Sequence, residues 1–416
     1  MKRLMILFAD GFPYGRSEPF LEKEYPLYKD YFDHVLISTA CERNALPTRE
    51  LVEAEIEVVT DYTLSKDMRS IIGALPWLLT DRTFYQELRR LLLGKEFSIK
   101  KLYQLLVYAI CGNHRAKEIH RWLKTHSEYS DIVLYSYWML VPAYAANRLN
   151  RKLRNNCYTV SRAHGWDLYL ERGIEGYHPF HEYLYNQLDE VAVISKQGKK
   201  YLAEHYGPSE KVAVHRLGAI DQGLSNPLAG RDVLRIVTCS RTIPLKRLDR
   251  LVEALSVLSY PVHWTHLGGG EVQESLERDA LEKLPPNVEA EFYGTVPNTK
   301  VYEVLAEQPF HVFVNISSTE GVPVSIMEAM SFHIPVIATD VGGTSELVDH
   351  GENGILLPAD FQNEELIDAI HHFHTMPQEL YELYRKNARQ KFVQDYNATE
   401  NYKVFLEHLA CVAKKQ

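Results

Sequence analysis

Residues 234–258 read LRIVTCSRTIPLKRLDRLVEALSVL. Leu234 to Cys239 is apolar and β-branched, the pattern of a short strand buried on both faces. Leu248, Leu251, Val252, Leu255 and Leu258 then recur at helical spacing. The loop between them, Ser240 to Lys246, carries the cations Arg241 and Lys246. The same alternation runs outward from this stretch. Strands are expected near Val262–Leu267, Val288–Tyr293, Val312–Ile316, Pro335–Thr339 and Ile355–Leu357. Helices are expected near Val272–Leu284, Lys300–Ala306 and Val324–Phe332. Alternating elements of these lengths imply a parallel sheet covered on both faces. Ligands of such sheets sit beyond the carboxyl ends of the strands.

The N-terminal half alternates less regularly. Strands are expected at Arg3–Ala9, Val35–Thr39, Ile56–Thr60, Ile132–Ser136, Tyr158–Ser161, Val191–Ile194 and Val212–Val214. A helical stretch from about Lys66 to His126 interrupts them. Asp221 to Arg231 reads DQGLSNPLAGR, without periodicity and with turn-forming residues, and is expected to link two domains. The expected organisation is an N-terminal domain over 1–220 with the helical insertion at 66–126, and a linker over 221–231. A C-terminal domain over 232–397 and a terminal helix over 398–416 complete it.

The chain has 416 residues, 45% hydrophobic and 24% charged, with a net charge of −9. That length suits two domains. The acidic balance argues against nucleic acid as the main partner, because neutralising phosphates takes excess positive charge. Cys41, Cys111, Cys157, Cys239 and Cys411 are scattered and form no CxxC pair, so neither a disulfide framework nor a zinc ribbon is indicated. Asp10 ends the apolar opening at once, too early for a secretory signal, and no apolar run is long enough for a membrane span. A cytoplasmic setting is expected.

Four loops carry candidate chemistry. Glu320-Gly-Val-Pro-Val-Ser-Ile-Met-Glu328 follows a strand and opens a helix; free N–H groups there can hold an anion such as a diphosphate. Glu328 lies further along that helix, where it can accept hydrogen bonds from sugar hydroxyls. A capped helix with two solvated glutamates is the plainer alternative. Arg241 and Lys246 can neutralise a diphosphate, or stand solvated on their loop. Arg162-Ala-His164-Gly-Trp-Asp167 ends another strand; His164 is a hydrogen-bond donor, a proton carrier or a satisfied structural histidine. Asp10-Gly-Phe-Pro-Tyr-Gly15-Arg-Ser-Glu18-Pro-Phe20 follows the first strand, with glycines that permit close backbone approach. Gly268 to Gly270, and Gly294 to Val296, end two further strands at the same edge. The chain contains no Asp-x-Asp pair, so a carboxylate-held metal site is not expected. His371, His372 and His374 read as a helix surface or partial core, not as ligands.

Taken together these loops resemble the retaining glycosyltransferases of family 4, whose GT-B fold sets two Rossmann-like domains across a cleft. The resemblance rests on the Glu-x7-Glu pair Glu320 and Glu328, the Arg241 and Lys246 pair, His164 and the glycine loop around Gly15. The run Pro335-Val336-Ile337-Ala338-Thr339, Gly342-Gly343, Glu346, Gly351 and Asn353-Gly354 extends it. It is specific over 231–360 and looser over 1–220. Phe12 to Phe20 looks most like bacterial capsule, O-antigen and exopolysaccharide transferases.

The resemblance implies roles. Arg241 and Lys246 would hold the nucleotide diphosphate, and Glu328 the ribose hydroxyls. Glu320 and the backbone at Gly321, Val322, Pro323 and Val324 would bind the transferred sugar. His164 would touch and orient that sugar, and Gly294 to Val296 would border the base. Gly15 is expected on the donor side; Glu18 and Asp167 are expected on the acceptor side. The terminal helix would cross back onto the N-terminal domain. No cofactor and no metal are expected, the substrate being a UDP- or GDP-linked sugar. The acceptor would be a saccharide or a lipid-linked saccharide in cell-surface polysaccharide synthesis. A nucleotide-sugar 2-epimerase and a catalytically silent nucleotide-sugar-binding protein are the alternatives on the same fold.

Within the insertion, Arg82 to Thr125 holds ten bases against Glu87, Glu96 and Glu118, a local net charge of +7. Leu91–Leu93, Phe97, Ile99, Leu102, Leu105, Leu106 and Trp122 are interleaved with them. That pattern suits an anionic membrane surface, and equally a set of packing helices with solvated basic faces. On the first alternative the protein would lie peripherally on the inner membrane face.

Overall fold

The structure is a computed structural model that describes residues 2–15, 17–40, 56–60, 68–94 and 97–413. Cys41, Lys66, Lys95, Glu96 and Lys414 lie outside the described residues. The chain forms two units, Met1–His215 with Tyr402–Gln416, and Arg216–Asn401.

The first unit is built on seven strands: β1 (Lys2–Ala9), β2 (His34–Thr39), β3 (Ile56–Thr60), β4 (Tyr129–Ser136), β5 (Tyr158–Ala163), β6 (Glu190–Val193) and β7 (Val212–Val214). All pair in parallel, in the order β3-β2-β1-β4-β5-β6-β7. The unbroken apolar run in β1 has a direct cause. Met5, Leu7 and Ala9 enter one core cluster while Leu4, Ile6 and Phe8 enter another, so both faces of the sheet are covered. Phe405, Leu406 and Leu409 of the last helix, Ala398–Ala413, join the cluster that holds Met5. Burial of such side chains is worth about 1.5–3 kcal/mol each, which fastens the end of the chain to its beginning.

The helical stretch of the first unit is three helices: Met68–Leu79, Arg82–Leu93 and Ile99–Thr125. Asp81 and Ser98 break it because each side chain accepts from the N–H groups of the helix that follows. Asp81 is fully buried and also accepts from Asn113 Nδ2 at 2.8 Å and from the Tyr144 hydroxyl, with Arg148 Nε at 3.5 Å. One carboxylate thus joins three segments.

The second unit repeats the plan with β8 (Leu234–Cys239), β9 (Val262–Leu267), β10 (Val288–Phe292), β11 (Val312–Asn315), β12 (Val336–Thr339) and β13 (Gly354–Leu357). The strands pair in parallel, in the order β10-β9-β8-β11-β12-β13. This is the doubly wound order, whose direction of growth reverses between β8 and β11. The first sheet reverses in the same way between β1 and β4.

The division differs from the expected one. The boundary falls at His215/Arg216, and Asp221–Arg231 is packed into the second unit, not a free linker. Asn226 is the reason. It is buried, and its side-chain amide donates to Leu305 O and Gln308 O while its oxygen accepts from Phe310 N–H. Arg389 also pairs with Asp221, and Arg385 donates to Asn226 O; a strap held by polar side chains has no apolar periodicity to display.

The loop after β8 is braced from beneath by a buried polar chain. Trp264 Nε1 donates to Thr238 Oγ1 at 2.9 Å, and His266 joins Thr238 and Thr242 through Nδ1 (2.8 Å) and Nε2 (3.1 Å). The Thr242 hydroxyl reaches Gly268 O. A neutral imidazole with its proton on Nε2 satisfies the whole chain, with Thr238 donating to Nδ1 and Thr242 accepting from Nε2. Burial holds the His266 pKa down, at about 4. A base with a depressed folded pKa contributes stability that is complete above its unfolded value and falls as pH drops through that window. Buried His181, His311 and partly buried His333 shift the same way. Wild-type stability should therefore decline between about pH 6.5 and 4, with His266 contributing about 1–3 kcal/mol of the decline. Urea titrations of His266→Gln across that range should show a correspondingly flatter profile; an identical profile would refute the assignment.

Candidate active site

The reversal point of the second sheet is where the loops after β8 and β11 run side by side. Ser318 N–H donates to Leu245 O at 2.9 Å, which ties the turn Pro244–Lys246 to the loop that precedes helix Val324–Ser331. The tie brings Lys246 Nζ to 2.6 Å from Glu320 Oε1, both side chains largely shielded from water. Arg241 is exposed on the same loop. The Glu320 loop is supported in turn by the Gly342-Gly343 turn. Gly343 N–H donates to Gly321 O, and Gly342 has φ 59° with no room for a Cβ beside the Glu320 carbonyl. Only glycine meets both demands.

Pro323 is the residue just before helix Val324–Ser331. No side chain caps this helix. Its first-turn N–H groups, together with the positive end of the helix dipole, form an anion-accepting end close in sequence to Glu320. Glu328 lies further along and is buried. Asn298 Nδ2 donates to its Oε1 at 2.7 Å, and the Tyr302 hydroxyl also hydrogen-bonds it. The carboxylate is therefore oriented before any ligand arrives. Asn298 and Tyr302 belong to helix Asn298–Glu307, which begins just after Gly294–Val296. Gly294 itself has φ 64° and accepts from Gly268 N–H. Asn298 and Tyr302 were not legible as site residues, since an amide and a phenol on an ordinary helix carry no motif. Cys239, at the end of β8, has its thiol pKa pushed up to about 12 by burial, with the Glu328 charge adding and Lys246 opposing. It is not a nucleophile at neutral pH.

In the first unit the corresponding reversal point is already filled by an internal anion. Glu18 is buried, and its carboxylate accepts from the N–H groups of Asp10, Gly11 and Phe12 and from Trp138 Nε1. Glu18 thus shapes the glycine loop after β1, with Gly15 at φ 66°, and both its oxygens, expected on the acceptor side, are engaged by these internal donors. Asp167, expected there too, is likewise engaged internally. It is fully buried and accepts from His164 N–H at 2.7 Å and Met139 N–H at 2.8 Å. Both carboxylates serve loops whose N–H groups lack a neighbouring strand.

His164 differs from them. Its ring lies against Tyr137 and Trp138, at 4.5 and 4.6 Å between centroids, and is buried. Neither ring nitrogen has a hydrogen-bond partner among the described residues, although Asp167 Oδ1 lies 3.8 Å from Nδ1. An oriented, unsatisfied imidazole suits a polar ligand. Asp10, on the loop after β1, went unremarked as a titrating group. Half of its side chain still meets solvent, yet lost hydration pushes its pKa up to about 6, against Arg115 and with help from Glu18 and Asp167.

The basic segment is thinner than its sequence suggests. Arg115 is fully buried and donates to Ala9 O and Ser38 O, and Lys101 is buried as well. Arg90 pairs with Glu182, Lys100 with Glu175 and Arg121 with Glu118. Leu91 and Leu105 are core residues, whereas Leu92, Leu93, Phe97, Ile99 and Tyr103 are exposed. Among the described residues no helix is long and apolar enough to cross a membrane.

Residues 228–391 match the family described as glycosyl transferases group 1. The chain is 28% identical over 247 residues to the putative colanic acid biosynthesis glycosyltransferase WcaL of Salmonella typhimurium, a stretch covering 56% of this chain and 59% of that protein. It is 26% identical over 208 residues to the amylovoran biosynthesis glycosyltransferase AmsK of Erwinia amylovora, covering 48% and 51%. The chain thus spans less than two thirds of the length of these relatives. Among solved structures, the lipopolysaccharide outer core galactosyltransferase WaaB superposes with a TM-score of 0.69 at 15% identity over 99% of both chains. Anabaena Alr3699/HepE, determined with UDP and glucose, superposes with a TM-score of 0.64 at 17% identity, over 99% of this chain and 100% of that one. Residues 228–391 thus match the glycosyl transferases group 1 family, on a chain whose fold is that of the GT-B structures.

Proposed function

We propose that the protein is a retaining glycosyltransferase of cell-surface polysaccharide synthesis. It moves a sugar from a nucleoside-diphosphate sugar to a saccharide or lipid-linked saccharide. The observation that carries this reading is the shielded Lys246–Glu320 pair at the sheet reversal, beside an uncapped helix end and the pre-oriented Glu328. Departure of a nucleoside diphosphate develops negative charge. A fixed ammonium, the Arg241 guanidinium and helix N–H groups stabilise that charge without reorganising. This set supplies the positive charge that a metal supplies elsewhere, which supports a metal-independent reaction. Glu328 accepts from the ribose hydroxyls, and Glu320 from the transferred sugar. The UDP held by HepE supports UDP over GDP as the nucleotide. Retention follows a front-face path in which the leaving phosphate takes the acceptor proton.

Turnover tests the reading. Lys246→Ala and Glu320→Ala should each lower acceptor-dependent release of nucleoside diphosphate by about 10²- to 10³-fold. Intact turnover in both variants would sink the assignment. Release of the diphosphate without any acceptor would point to a hydrolase or an epimerase-type path instead.

For a lipid-linked acceptor, the exposed Leu92, Leu93, Phe97 and Ile99 beside the exposed Arg89 support contact with an anionic bilayer on a peripheral, inner-face location. Leu93→Asp with Ile99→Asp should weaken co-sedimentation with phosphatidylglycerol vesicles at least tenfold. Unchanged sedimentation would rule this surface out.

A further inference from the structure

One side-chain cluster in the first unit takes no part in the reading above. Glu190 opens β6, His215 follows β7, and His408 lies on the last helix, 218 positions from Glu190. The three meet in space. His215 Nε2 is 2.7 Å from Glu190 Oε1, and His408 Nε2 is 2.5 Å from Glu190 Oε2. The ligand atoms of all three lie within 4.8 Å of one another. Among the described residues this is the one group of three or more His, Cys, Asp or Glu side chains gathered so tightly.

Two imidazoles and a carboxylate suit a divalent transition metal, zinc among them, whereas calcium and magnesium take oxygen ligands. The surroundings resemble those of a built site. The Tyr158 hydroxyl donates to Glu190 Oε2 at 2.8 Å, as an outer hydrogen bond holds a ligating carboxylate. His215 is fixed against the Phe405 ring at 4.9 Å between centroids, and its own N–H donates to Val193 O. Glu190 is buried and His215 nearly so, but the His408 side chain is 37% exposed. That asymmetry leaves an entry path and a position for water as fourth ligand. Zinc bonds of about 2.0–2.1 Å set tetrahedral ligand atoms roughly 3.3 Å apart. The contacts of 2.7 and 2.5 Å are shorter than that spacing, so a bound zinc ion would part both imidazoles from the carboxylate.

We propose that Glu190, His215 and His408 form a zinc site that clips the last helix to the sheet of the first unit. The site joins three chain segments, and none of its three ligands is among the residues assigned to the reaction. It goes beyond the transferase reading and does not depend on it. No expectation of this metal site came from the sequence, since it has no Asp-x-Asp pair and its clustered His371, His372 and His374 read as a helix surface or partial core. Here the ligands are 25 and 193 positions apart along the chain and are assembled only by the fold.

Calorimetric titration of the chelator-stripped full chain with zinc chloride tests the proposal. One zinc ion per chain should bind, and saturating zinc should raise the unfolding midpoint by about 5 °C. His408→Ala, at a partly exposed position, should fold normally and lose at least 100-fold in zinc affinity. His215→Ala should do the same, and magnesium should have no effect. Zinc-edge absorption of the loaded protein should report two imidazoles and a carboxylate. Absence of one-to-one binding, a zinc affinity in both variants equal to that of the unsubstituted chain, or a midpoint that responds to pH but not to zinc would each overturn the proposal. The last result would identify the cluster as a proton-held bridge.

Discussion

A strand that must be followed by another parallel strand cannot turn back tightly; a crossover has to carry the chain over the sheet. Every strand-to-helix loop therefore gathers at one edge of each sheet, and where the growth direction reverses, two of those loops diverge and leave a crevice. In the second unit the loops are those after β8 and β11. Lys246 and Glu320 pair across them because the backbone tie from Ser318 to Leu245 leaves little freedom to separate. The supporting parts follow from the same constraint. The Gly342-Gly343 turn yields space to the Glu320 loop, and the Trp264–Thr238–His266–Thr242 chain holds the Arg241 loop from below.

The two units treat the same crevice differently. The first fills its crevice with its own Glu18 carboxylate, which takes the loop N–H groups that would otherwise seek an anion. The second leaves a helix end without a side-chain cap and sets a cation beside it. A buried or shielded ion pair contributes little net stability, since the desolvation cost nearly offsets the attraction. The pair is better understood as a charge arrangement kept ready for a ligand. On the proposed reaction, Lys246 exchanges part of its contact with Glu320 for the diphosphate, and the freed carboxylate turns to the sugar.

Much of the fold was legible because burial on both faces leaves unbroken apolar runs, and each expected strand of the second unit has its counterpart within a residue or two. The motif residues at 241, 246, 320 and 328 stand on the loops and helix that follow strand ends, where the sequence pattern puts them. What escaped reading shares one property, a polar side chain that bonds to distant backbone. Asn226 turns an apparent linker into a packed strap. Glu18 and Asp167 satisfy loop N–H groups, and Arg115 leaves the basic segment to bond to Ala9 and Ser38. Local sequence cannot distinguish these from solvated charges, because their partners come from elsewhere in the chain. Glu190, His215 and His408 escaped for the same reason.

The central claim is that the reversal point of the second sheet receives a nucleoside diphosphate. A crystal structure of the chain with UDP tests it most directly. The account predicts the diphosphate against Lys246, Arg241 and the N–H groups at the start of helix Val324–Ser331, with the ribose hydroxyls on Glu328. A diphosphate bound away from Lys246, or a ribose that does not meet Glu328, would contradict it.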